Sequence, residues 1–125
     1  MDITPAIPGD RQVVESYGGG GFRISGRRIA GSALVFPGES LAWPVVAMSG
    51  IDETALRPVA ERAGAIEILL VGCGSTIAFL KHDLRAFLKG HGIVADVMDT
   101  GAACRTYNVL LAEDRRVAAA LIAVD

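Results

Sequence analysis

From Gly50 onward the sequence alternates helical apolar patterns with short apolar runs, an order that makes the runs parallel strands joined by crossover helices. Leu56, Val59, Ala60 and Ala63 recur at i, i+3, i+4 and i+7, and Gly64 supplies a stop. Pro58 is tolerated only near a helix start, which favours Thr54 over Asp52 as the cap. Residues 66–71 then read as a buried strand. Ile77, Leu80, Leu84, Phe87 and Leu88 form one apolar face of a second helix, ended by Gly90-His91-Gly92, and residues 93–98 make the next strand. Thr100 caps a third helix, with Asp99 as the alternative cap and Ala103, Tyr107, Leu110 and Leu111 facing inward. Arg115-Arg116 lead into a strand over residues 117–124. The result is β-α-β-α-β with three parallel strands. Consecutive crossovers of one hand bring the loops after Val71 and Met98 to the same carboxyl edge, where α/β folds usually hold ligands.

The N-terminal half reads differently. Pro5, Pro8 and Gly9 without periodicity predict a flexible arm over residues 1–12, followed by one α/β domain over 13–125. Phe22-Arg23-Ile24 and Arg27-Arg28-Ile29 flank Ser25-Gly26, a two-residue loop suited to a tight hairpin that leaves Arg23 and Arg28 off the apolar face. Residues 32–36 and 42–47 look like two more strands, Pro44 restricting the second to an edge. The expected fold is thus a three-layer α/β domain, an antiparallel β meander followed by the parallel β-α-β-α-β unit.

Charge and composition exclude several classes. Twelve basic residues stand against fourteen acidic ones, and the basic residues are scattered apart from Arg27-Arg28 and Arg115-Arg116, which argues against nucleic acid as a partner. The longest apolar stretch is far too short to cross a membrane, and no charged leader precedes an apolar run, so a cytoplasmic protein is expected. A chain that is 51% hydrophobic and 21% charged has few polar groups with which to cover its surface, which favours a homo-oligomer. Cys73 and Cys104 suit a reducing compartment as free thiols.

The candidate chemistry lies at the carboxyl edge. Gly72-Cys73-Gly74-Ser75 follows a strand and, on this reading, precedes a helix, where backbone N–H groups could meet an anion; a tight turn without a ligand is the other reading. Position 77 is Ile77, which spoils a dinucleotide fingerprint, and no Gly-Lys-Ser/Thr follows, so no nucleotide cofactor is expected. Asp99-Thr100-Gly101 opens the helix that carries Arg105, Thr106, Tyr107 and Asn108, a polar cluster in an apolar half. Arg105 near the positive end of a helix needs a partner, either an anionic ligand or a salt bridge to Glu113 or Asp99. Cys104 could be activated by the same dipole with Cys73 beside it, or be a buried structural thiol. His82 and His91 lack metal-pair spacing, so no metal site is expected. Gly18-Gly19-Gly20-Gly21 reads as a lid or a bulged strand entry, and Trp43 as a protein contact or a core residue.

Taken in order, Tyr17-Gly18, Gly21 to Ile24, Gly31-Ser32, Trp43, Gly72-Cys73-Gly74 and Met98-Asp99-Thr100 through Arg105-Thr106-Tyr107-Asn108 resemble a known family. It is the small domain of mitochondrial complex I assembly factor three and its uncharacterised bacterial and archaeal relatives. The resemblance implies a three-layer α/β domain without an established enzymatic activity, whose mitochondrial members assist assembly of the respiratory NADH dehydrogenase through protein contacts. It supplies no catalytic residues. The mitochondrial members carry import leaders and no such leader is read here, so the bacterial branch is expected. Two functions follow: an interaction module with a protein partner, for which respiratory complex subunits or assembly factors are the candidates, and a binder or enzyme for a small anionic metabolite using Arg105 as clamp. No complete catalytic constellation is visible, which favours the first.

Overall fold

The computed structural model describes residues 11–125; residues 1–10, most of the expected arm, lie outside it. Arg11 and Gln12 are tied down, Arg11 by an ion pair with Asp114 and Gln12 by a bond from its N–H to Pro37 C=O at 2.8 Å.

Strands β1 (Val14–Gly18), β2 (Gly21–Ile24) and β3 (Arg27–Ala30) make one antiparallel sheet in that order. Ser25 and Gly26 both adopt positive φ, 46° and 83°, the geometry a two-residue hairpin needs to match strand twist. Arg23 and Arg28 lie opposite one another on the exposed face, as expected from the sequence. The meander does not continue as one sheet. Gly31, at φ 79°, turns the chain a corner, and β4 (Ser32–Val35) and β5 (Ser40–Trp43) join a second sheet.

That sheet has five strands in the order β5-β4-β8-β6-β7, built with β6 (Ile68–Gly72), β7 (Val94–Met98) and β8 (Val117–Leu121). The last three are parallel and β4 runs antiparallel to both its neighbours. Side chains alternate by strand geometry. Leu34, Leu69, Val71, Ala118 and Ala120 face one core, beneath α1 (Glu53–Ala60) and α2 (His82–Gly90). Ala33, Val35, Leu70, Val117, Ala119 and Leu121 face the other, beneath α3 (Thr100–Ala112) and the small sheet. The three layers are therefore α1 and α2, the five-stranded sheet, and α3 beside the three-stranded sheet.

Three local expectations are corrected. Asp52, not Thr54, caps α1, its carboxylate accepting from Ala55 N–H at 2.8 Å; Pro58 then falls inside the helix, which ends two residues later. The second helix starts at His82 rather than near Ile77. β-Branched Thr76 and Ile77 and the lack of any capping side chain leave residues 73–81 irregular, and Leu80 reaches the core from the loop. Finally, β5 covers Ser40–Trp43 and stops before Pro44, which has no N–H for a ladder, and β8 stops at Leu121.

Both outer strands of the large sheet are guarded. The ladder points Ser40 and Ala42 outward from β5; Arg27 Nη2 donates to Ser40 C=O at 2.9 Å, and Pro44 follows. On β7 the outward Ala95 C=O accepts from Arg85 Nη1 at 3.0 Å.

Candidate functional site

The carboxyl edge of the parallel strands holds the expected loops side by side. Cys73 N–H donates to Met98 C=O at 2.9 Å, and Thr100 N–H to Gly74 C=O at 3.0 Å. Asp99 caps α3 through Ala102 N–H at 2.9 Å, and this corrects Thr100 as cap. Thr100 is instead the first helical residue, fully buried, and its hydroxyl joins three segments: it accepts from Gly74 N–H at 2.9 Å and donates to Ile122 C=O at 2.7 Å. Gly72 permits the junction, since a Cβ there would lie 3.0 Å from Thr100 Cα.

The rest of the polar cluster faces the small sheet. The Asn108 amide, 1% exposed, accepts from Val14 N–H at 3.1 Å and donates to Val14 C=O at 2.8 Å, so it acts as a peptide group completing the edge of β1. Tyr107 OH donates to Gln12 C=O at 2.9 Å, and burial pushes its phenol above the usual tyrosine range. Arg105 is exposed and donates to Tyr17 OH at 3.3 Å; no salt bridge to Glu113 or Asp99 forms among the described residues. Thr106 is half-buried beside it. Gly101 packs against the Tyr17 ring so closely that a Cβ would overlap its hydroxyl.

Two cysteine readings part here. Cys104 is fully buried against the small sheet, and desolvation drives its thiol up to about 12, with Arg105 pulling the other way; it is a structural thiol and not an activated one. Cys73 lines a hollow at the carboxyl edge and donates weakly to Thr76 C=O at 3.5 Å. The hollow, about 370 Å³, is walled by Gly74, Ser75 and Thr76, by Val46 to Met48, and by Ile122 to Asp125.

The sequence reading brought Gly72 to Ser75 together with Thr100, and the structure does too. It separates them from Arg105, Tyr107 and Asn108, which bind β1 and its approach. The Gly-rich turn does not open a helix, since α2 begins eight residues after Gly74, and α3 already has the Asp99 carboxylate at its N-terminus. Neither loop therefore presents a free helix end to an anion. The glycine run is a tight β1–β2 turn, held by Arg28 Nη2 to Gly19 C=O at 2.9 Å and by Gly20 N–H to Val124 C=O at 2.8 Å. Trp43 is a core residue, 4% exposed, its Nε1 donating to Ala55 C=O at 3.0 Å; an exposed contact at Trp43 is corrected accordingly. Sequence reasoning missed the exposed apolar trio Val46, Ile77 and Phe79, because Ile77 fitted a helix face. Among the described residues no three His, Cys, Asp or Glu side chains gather as metal ligands, and no helix is long and apolar enough to cross a membrane.

Fold and site together define a three-layer α/β domain of the Mth938-like kind, with an open hollow at its carboxyl edge. A Bordetella pertussis protein described as a Mth938-like domain matches it at a TM-score of 0.82 and 28% identity, over 98% of this chain and 92% of that one. A Bartonella henselae crystal structure, described as an outer membrane protein, matches at 0.86 and 40% identity, over 92% and 97%. The chain belongs to the family of unknown function DUF498/DUF598, whose model matches residues 14–122. Its relatives include an uncharacterised protein of Rhodobacter capsulatus, 40% identical over 87% of this chain and 82% of that protein. They also include NADH dehydrogenase [ubiquinone] 1 alpha subcomplex assembly factor 3, 36% identical in Xenopus tropicalis and 33% in Homo sapiens. The chain spans 60% of the length of the Xenopus protein and 59% of the human one.

Proposed function

We propose that this chain is a non-enzymatic interaction module of the bacterial cytoplasm that assists assembly of a membrane respiratory complex, the NADH dehydrogenase. The observation that carries the reading is the likeness to assembly factor 3, which extends over 87% of this chain at 36% identity. The use of the polar cluster supports it. Thr100, Tyr107 and Asn108 spend their hydrogen bonds on holding the fold, while Ile77, Phe79 and Val46 stand exposed at the carboxyl edge, where a partner would find apolar surface. Deleting the gene in its host, with blue-native electrophoresis and NADH-quinone activity as readouts, tests it. Reduced assembled complex, restored by the wild-type gene, is the expected result; undiminished complex would sink the proposal.

The metabolite reading has the hollow in its favour and the lining against it. Asp125 borders the hollow and no Arg or Lys does, Arg105 included. Calorimetry with phosphate and small carboxylates is expected to give no Arg105-dependent heat. A saturable signal lost in Arg105→Ala, with the fold retained, would reinstate an anion site.

A further inference from the structure

Residues 75–80, Ser-Thr-Ile-Ala-Phe-Leu, contain no charge, no glycine and no proline. None of them donates a backbone hydrogen bond among the described residues, and they belong to neither sheet. From Ile77 on, their burial nevertheless alternates as in a strand: Ile77 and Phe79 are 64% and 85% exposed, Ala78 lines the hollow and Leu80 is buried. Val46, 88% exposed, lines the same hollow. An uncharged apolar segment with open N–H groups is a template for pairing with another chain.

The flanking charges say which chain. Lys81 and His82 follow the segment at one end, while at the other Ser75 and Thr76 share the hollow with Asp125. An antiparallel, twofold arrangement sets Lys81 of one copy toward the Asp125 end of the next, an opposite-charge pair made twice, and such an interface closes on itself. We propose that residues 75–80 form the contact of a homodimer, the second copy pairing antiparallel along the same segment with Phe79 directed at its hollow. This goes beyond the assembly role and does not depend on it.

Sedimentation equilibrium of the full chain, over a micromolar concentration series, reads the outcome. The mass is expected to climb from 13.0 kDa toward about twice that value. Phe79→Glu and Ile77→Glu, both at exposed positions, are expected to hold it at one copy with circular dichroism and melting unchanged. Lys81→Glu should weaken the dimer several-fold, and adding Asp125→Lys should restore it. One copy at every concentration overturns the proposal, and so does a dimer indifferent to Phe79→Glu. Because gene deletion reads complex I irrespective of oligomeric state, failure here leaves the assembly reading standing.

Discussion

Replacing the Asn108 amide by an apolar group of similar volume strands two buried groups at once, because Val14 N–H and C=O both bond to it. Each orphaned group costs about 1–3 kcal/mol, so Asn108→Leu is expected to lose about 3 kcal/mol in urea denaturation, with β1 exchanging its amides early. Cys104 sets a pH dependence. Its thiol moves from 9.0 in the open chain to about 12 in the fold, chiefly by desolvation, so the protonated form is favoured on folding. That stabilisation is complete below about pH 9 and is lost as pH climbs toward 12, with the Tyr107 phenol, also raised, adding to the fall. The unfolding free energy from urea titrations should therefore hold steady up to about pH 9 and decline from there to about pH 11. Over that upper range the decline in Cys104→Ala should be shallower by about 1.4 kcal/mol per pH unit.

At the level of elements, Asp99 and Thr100 are adjacent and do different work. Asp99→Ala removes a cap and should lower stability by about 1 kcal/mol. Thr100→Val unties the loop after β6, the start of α3 and the end of β8, and should cost about 3 kcal/mol. Hydrogen exchange separates the two: the Gly74 amide should speed up in Thr100→Val and stay protected in Asp99→Ala. The same adjacency explains what the sequence could not tell. Two good capping residues within two positions of each other, at Asp52 and Thr54 and again at Asp99 and Thr100, leave the helix start uncertain by one or two positions. The Ser25-Gly26 hairpin was legible because the turn needs positive φ at both residues and only a few dipeptides tolerate it. The start of α2 was not, since Leu80 satisfies helical spacing with Leu84 while reaching the core from a loop. The candidate cluster was legible as residues but its backbone partners were not, for a polar side chain that grips a distant backbone has no sequence signature.

Across the whole molecule, stability is expected to be graded outward from β8. Its Val-Ala-Ala-Ala-Leu run is buried on both faces between β4 and β6, so its amides should exchange last, near the global unfolding rate, and those of residues 75–81 first. Native-state hydrogen exchange checks this directly; early exchange in β8 would show that the two halves open separately. The parallel half was readable because three apolar runs separated by helices admit few topologies. The break at Gly31 was hidden, since nothing in a short strand's residues says which of two sheets it will join. The guarded outer strands carry one last consequence. With Arg27 and Pro44 closing one flank and Arg85 the other, copies of this domain cannot readily be added side by side into an endless ribbon. At high concentration or during storage it should stay clear of fibrils, and removing Arg27 and Arg85 together would be the shortest route to making them.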